Sequence, residues 1–209
     1  HILDNIYDMH TLIVQQKWEQ VVLMGHSMGG ILASVYAASF PEIVKALVML
    51  EAFGPLTKPA DSSPQQLKEA INSRLDVAAK EPRHPKTFEI AVQARLSTGG
   101  QDQDAAELLM KRNTVVKANG VEWSTDPRLR TLSLLRLTES QAESFMQAVV
   151  CPTLSVLGKQ GFEELRKKQE TKKHLFSNFT STDCPGGHHL HMEYPEEVAL
   201  AVNNYLKSL

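Results

Sequence analysis

Gly25-His26-Ser27-Met28-Gly29 joins two stretches of opposite character, and no other part of the chain constrains the fold as tightly. Before it, Val21, Val22, Leu23 and Met24 form an unbroken apolar run, the pattern of a strand covered on both faces of a parallel sheet. After it, Met28 to Ser39 is rich in small and apolar residues without alternation, and Phe40-Pro41 follows, so a closely packed helix is expected to stop there. Ala46 to Leu50 supplies the next strand. Strand, helix and strand within about 30 residues make a βαβ unit whose crossover is right-handed. A turn this sharp puts Ser27 in a strained backbone conformation. The residues two before and two after it, Gly25 and Gly29, are expected to be glycine because side chains there meet neighbouring chain, and Gly30 adds clearance.

The rest of the chain extends this pattern and interrupts it once. Ile6, Met9, Ile13 and Val14 recur at spacings of three and four, which predicts an amphipathic helix over 4–18. Beyond Glu51, the breakers Gly54, Pro55, Pro59 and Pro64 open a long stretch of polar helical pattern. Helices are expected near 64–80, 85–97, 102–117 and 139–148, with irregular chain around 119–130 and no strand. The parallel pattern resumes with a strand over 152–157, a charged helix over 162–173, a weaker strand over 176–182 and a final helix over 195–209. Residues 1–54 and 149–209 are therefore expected to form an α/β core, and 55–148 a helical cap.

Composition excludes several functions. In 209 residues, 22 Lys and Arg stand against 24 Asp and Glu, for a net charge of −2. No chain-wide attraction to nucleic acid follows from that balance, so no nucleic-acid partner is expected. No apolar run approaches the roughly 18 residues of a membrane helix, and a soluble protein is expected. Cys151 begins one apolar run and Cys184 ends another. On parallel neighbouring strands their sulfurs lie on the order of 15–20 Å apart, too far for a disulfide. Two free thiols favour a reducing, cytoplasmic compartment.

The chemistry centres on Ser27. A serine hydroxyl is a poor nucleophile at neutral pH and needs a histidine base within hydrogen-bond reach. The segment Pro185-Gly186-Gly187-His188-His189-Leu190-His191-Met192-Glu193, between the last strand and the last helix, supplies it. His188, directly behind the glycine pair, is the expected base, and His189 and His191 are expected to be scaffold. A zinc cluster of His188, His189 and His191 is disfavoured because no spaced cysteine or carboxylate completes it, so neither metal nor cofactor is expected. A carboxylate must orient the histidine, and two places compete: Glu51, closing the second strand, and Glu163 or Glu164, after the third. The turn Gly158-Lys159-Gln160-Gly161 carries no carboxylate, which favours Glu51. As the first residue of a helix, Met28 offers its backbone N–H to a developing oxyanion. A phosphate-binding loop is excluded, since no Lys-Ser/Thr ending follows the glycines.

These residues resemble the α/β-hydrolase superfamily over the whole chain. Arg112-Asn113-Thr114, Ala118-Asn119-Gly120, Asp126-Pro127-Arg128-Leu129 and Cys151-Pro152-Thr153 look like the serine hydrolase-like proteins within it. The resemblance implies Ser27 as nucleophile, His188 as base and a lid over the pocket. Val44 to Glu51 also looks like the strand that ends in the catalytic glutamate of haloalkane dehalogenases and coelenterazine luciferases, although those families carry an aspartate where Ser27 stands. Family members place further strands and a His-Gly oxyanion loop ahead of the elbow, whereas this chain opens on His1 and reaches the elbow at once. It is therefore expected to be the carboxy-terminal part of a larger hydrolase, with Val21–Met24 at a sheet edge and one oxyanion donor missing. The implied activity is cleavage of an ester or related acyl bond of a small molecule. A slow or non-catalytic receptor on the same fold and a carbon–carbon bond hydrolase are the alternatives.

Overall fold

A computed structural model of the chain describes residues 4–81, 83–118 and 120–209; His1 and Asn119 lie outside them. Along the chain run α1 (Asp4–Gln15), β1 (Val21–His26), α2 (Met28–Ser39) and β2 (Val44–Leu50). Next come α3 (Ser63–Ala78), α4 (Phe88–Leu96), α5 (Gln103–Asn113), β3 (Thr114–Lys117), β4 (Gly120–Trp123) and α6 (Glu139–Ala148). The last elements are β5 (Thr153–Gly158), α7 (Glu163–Lys172), β6 (Phe179–Cys184), α8 (Leu190–Glu193) and α9 (Pro195–Lys207). The chain divides into two compact units, one of residues up to 60 with 136–209, the other of 61–135.

The first unit is built on a parallel sheet of order β1-β2-β5-β6. Side chains of β2 alternate between two apolar layers, as the period of a strand requires. Leu47 and Met49 pack with Tyr36 of α2, Ile13 of α1 and Met146 of α6, while Val48 and Leu50 pack with Leu154, Val156 and the α9 residues Val198 and Val202. Helices therefore cover both faces of β2 and β5, and every residue of β5 is buried. Register then fixes where the site lies. His26 stands opposite Leu50, Leu50 opposite Val156, and Gly158 opposite Cys184. The turns after all four strands thus leave the sheet along one carboxyl edge, the side on which open parallel sheets present their ligand sites.

Several expectations are modified. Val21 and Leu23 pack into the first apolar layer, but Val22 and Met24 are 45% and 61% exposed, so the apolar run of β1 is covered on one face here rather than two. The reason is strand order: β1 ends the sheet, and α8 and α9 gather over β2 and β5. α6 packs its Ala142 and Met146 into the same layer as α2, within the first unit. The last strand begins at Phe179 rather than Phe176, since Phe176 is spent on core contacts with Phe53 and Phe179. Cys151 and Cys184 are free and buried.

The second unit joins α3, α4 and α5 to an antiparallel hairpin of β3 and β4, Thr114 facing Trp123 and Lys117 facing Gly120. A continuous helix to 117 was expected, yet α5 stops at Asn113. Three β-branched residues in a row, Thr114, Val115 and Val116, lose rotamer freedom in a helix and suit a strand. Trp123, carried by β4, packs beside Ala91, Val92, Ala106 and Met110, and its indole N–H donates to the Arg83 carbonyl at 2.9 Å.

Candidate active site

Ser27 occupies the turn between β1 and α2 with φ 51° and ψ −119°, a left-handed backbone conformation that costs a non-glycine residue about 1–3 kcal/mol. Its N–H is held by the Leu50 carbonyl at 2.9 Å, and its own carbonyl accepts from Gly30 and Ile31, so both sides of the turn are fixed. The glycines around it differ in duty from the expectation. A side chain on Gly25 meets the Gly29 carbonyl group at 2.3 Å. One on Gly30 meets the Ala52 methyl at 2.5 Å and the Gly25 oxygen at 2.8 Å, whereas Gly29 has nothing within 4 Å. Helix geometry explains this: Gly30 faces back across the turn onto β1 and Gly29 does not. The close approach therefore requires Gly25 and Gly30, and Gly29 is not needed for space.

The histidine loop arrives from 161 residues further along the chain. His188 Nε2 lies 3.0 Å from Ser27 Oγ, and His188 Nδ1 lies 3.4 Å from Glu51 Oε2. The Phe162 ring packs against the imidazole with centroids 4.5 Å apart. Further hydrogen bonds hold the loop, among them two at its turn. The His26 Nε2–H donates to the His188 carbonyl at 2.6 Å, and the Gly187 N–H donates to Glu193 Oε2 at 3.0 Å. Burial holds His26 down to about 4, below an imidazole's ordinary 6.5, so it is neutral at physiological pH; burial lowers His191 as well.

Glu51 follows β2 directly, in a left-handed conformation of its own with φ 46°, and is 3% exposed. A buried carboxylate needs hydrogen-bond donors. The Gly158 N–H supplies one to Oε1 at 2.7 Å and the Phe162 N–H a longer one to Oε2 at 3.4 Å. A side chain on Gly161 meets Glu51 Oε1 at 2.2 Å. The turn of 158–161, which carries no acid of its own, is thus a cradle for an acid from the neighbouring strand. Its glycines were the available sequence signal. Glu163 and Glu164 stand exposed on α7, and Glu163 pairs at 3.7 Å with Lys167 one turn on.

Met28 opens α2, so its N–H belongs to the first turn, where a helix leaves donors without intrahelical acceptors. His189 and His191 belong to a second group of rings. Their rings gather around His26, at centroid separations of 5.1 and 4.2 Å, a role for His26 that the sequence reading missed. The arrangement can move a proton between an alcohol oxygen and an imidazole and can hold that imidazole by its far nitrogen.

A parallel sheet with helices on both faces and a strained serine turn at its carboxyl edge defines an α/β hydrolase architecture. A family model described as alpha/beta hydrolase fold matches residues 3–195, and the chain belongs to that family. Among curated relatives, a "Probable serine hydrolase" of Drosophila melanogaster is 27% identical over 98% of this chain, which spans 65% of that protein's length. "Serine hydrolase-like protein 2" of Homo sapiens is 24% identical, covering 97% of this chain and 70% of its own length. A solved structure of a hypothetical protein from Pseudomonas aeruginosa PAO1 superposes with a TM-score of 0.88 at 34% identity, over 100% of this chain and 73% of its own. The "Thioesterase Domain From Curacin Biosynthetic Pathway" gives 0.75 at 25% identity, over 99% and 72%. Among the described residues no helix is long and apolar enough to cross a membrane.

Proposed function

We propose that the protein is a serine hydrolase that cleaves an ester or related acyl bond of a small molecule through an acyl-enzyme. The observation that carries this reading is the 3.0 Å approach of His188 Nε2 to Ser27 Oγ. As Oγ attacks the acyl carbon, its proton passes to Nε2 and the carbonyl π electrons move onto oxygen. The Glu51 carboxylate accepts from the far side of the ring and offsets the imidazolium charge. The Met28 N–H donates to the new oxyanion, a contact of a kind worth about 10²–10³ in rate. Collapse of this intermediate expels the alcohol, which takes the proton from His188, and water repeats the sequence to free the acid and Ser27. The names of the relatives, serine hydrolases and a thioesterase domain, support the same class of chemistry.

The division of labour along the chain belongs to the proposal. Residues 1–54 and 149–209 carry the acyl chemistry, with α6 packed into the same apolar layer, and the chain between is a mainly helical insertion. Further strand-forming chain pairing with the free edge of β1 is also part of it, because β1 ends the described sheet and the backbone groups of an edge strand call for a partner.

A fluorophosphonate probe tests the reading. Ser27 is expected to label covalently and Ser27→Ala to remove the label. Labelling that persists in Ser27→Ala overturns Ser27 as nucleophile. With ester substrates steady turnover is expected, and a single equivalent of product followed by silence leaves a binding protein instead.

A further inference from the structure

Sequence order groups His188 with His189 and His191, but the fold regroups them. His188 turns to Ser27 and Glu51, and His26, from the end of β1, takes its place beside the other two. We propose that His26, His189 and His191 form a binding site for a divalent transition-metal ion of the zinc type.

Three observations carry it. First, each residue offers one ring nitrogen, and the three nitrogens lie within 4.8 Å of one another. Tetrahedral zinc with nitrogen ligands at 2.0–2.1 Å needs them about 3.3–3.4 Å apart. The remaining closure is no more than about 1.5 Å, within reach of small rotations of the three rings. Second, the hydrogen bond from His26 to the His188 carbonyl selects a tautomer. A carbonyl oxygen only accepts, so the proton sits on Nε2 and the lone pair of Nδ1 is left available. Metal-ligating histidines characteristically donate their other N–H to a backbone carbonyl or a carboxylate, and His26 already does so. Third, His191 Nδ1 is buried with no hydrogen-bond partner among the described residues. A buried polar atom of that kind calls for an occupant, and a cation supplies one.

The donor set also chooses the metal. Three neutral imidazoles without a carboxylate are poor ligands for calcium or magnesium, which take oxygen, and suit zinc, cobalt, nickel and copper. Three protein ligands leave a fourth position for water or an added ligand. The site borders the catalytic group through the His26 bond to the His188 carbonyl, but Ser27 supplies no ligand to it, so metal binding is read independently of the acyl chemistry proposed above.

Titration of the protein with Zn²⁺ in a calorimeter, and with Co²⁺ followed by its visible absorption, tests it. One ion per chain is expected, with the intense spectrum of four-coordinate cobalt. His189→Ala and His191→Ala are each expected to weaken binding at least tenfold, and Ser27→Ala to leave it unchanged. Absence of binding at millimolar Zn²⁺, unchanged affinity in His191→Ala, or loss only in His188→Ala overturns the site. Should a variant lose its fold by circular dichroism, X-ray absorption on the wild-type zinc form decides. Three imidazole nitrogens near 2.0 Å are expected, and fewer than three overturn the assignment.

Discussion

Replacing Gly161 with alanine tests whether Glu51 acts through His188, although Gly161 touches neither the histidine nor Ser27. The added methyl carbon falls 2.2 Å from Glu51 Oε1 and 2.6 Å from the carboxyl carbon. Ordinary contact lies near 3.4 Å or beyond, so the carboxylate or the turn must move by about 1 Å. The Glu51–His188 contact is already 3.4 Å, at the outer limit of a hydrogen bond, and a shift of that size breaks it. The acid lies too deep to find water in compensation. A misplacement of about 1 Å lowers the rate roughly 10²-fold, and complete loss of the orienting acid about 10⁴-fold, so Gly161→Ala is expected between these limits. The assay is the second-order rate of fluorophosphonate labelling, with the fold checked by circular dichroism. Gly29→Ala is the internal control: it lies inside the glycine motif, has nothing within 4 Å, and is expected to label within about threefold of wild type. A folded Gly161→Ala protein that labels at the wild-type rate would remove Glu51 from the mechanism.

Three further outcomes follow from packing and burial. Gly30→Ala drives a methyl to 2.5 Å from Ala52 and 2.8 Å from the Gly25 oxygen, and a loss of about 1–3 kcal/mol is expected in urea unfolding; a change under about 0.5 kcal/mol contradicts the crowded turn. Leu47 is wholly buried in the central strand, so Leu47→Ala is expected to cost about 2–5 kcal/mol by the same measurement, and a smaller loss means that this layer is loosely packed. Burial raises both cysteine thiols, Cys151 and Cys184, above their ordinary range, which lowers the thiolate fraction at pH 8. Iodoacetamide is therefore expected to leave both unmodified in the folded protein and to react with both in urea, as read by mass; rapid modification of the native form contradicts their placement.

Much of this architecture was legible because it is written in short-range pattern. The apolar run before Ser27, the small-residue stretch after it and the run ending at Leu50 are each the signature of one element, and they form β1, α2 and β2. The glycine pair before His188 marked a loop at the right place in the chain order. What escaped also had a physical cause. β3 and β4 form because two four-residue segments pair with each other, and a helical period read along one segment does not register its partner. The acid's cradle was hidden because the turn after β5 was searched for a carboxylate, when its contribution is two backbone N–H groups and the space left by Gly161.

Taken alone, the order of residues determined which segments around the parallel sheet become strands or helices and that an alcohol, an imidazole and a carboxylate stand at strand ends. Those properties depend on neighbours a few positions away. Tertiary structure decided which of the competing carboxylates meets His188, that Gly30 rather than Gly29 is crowded, and that His26 joins His189 and His191. The first and last are settled by strand order and register, which bring together groups more than a hundred positions apart and leave no local trace in the chain, and the second by the geometry of the turn, which sets Gly30 against Gly25 and Ala52.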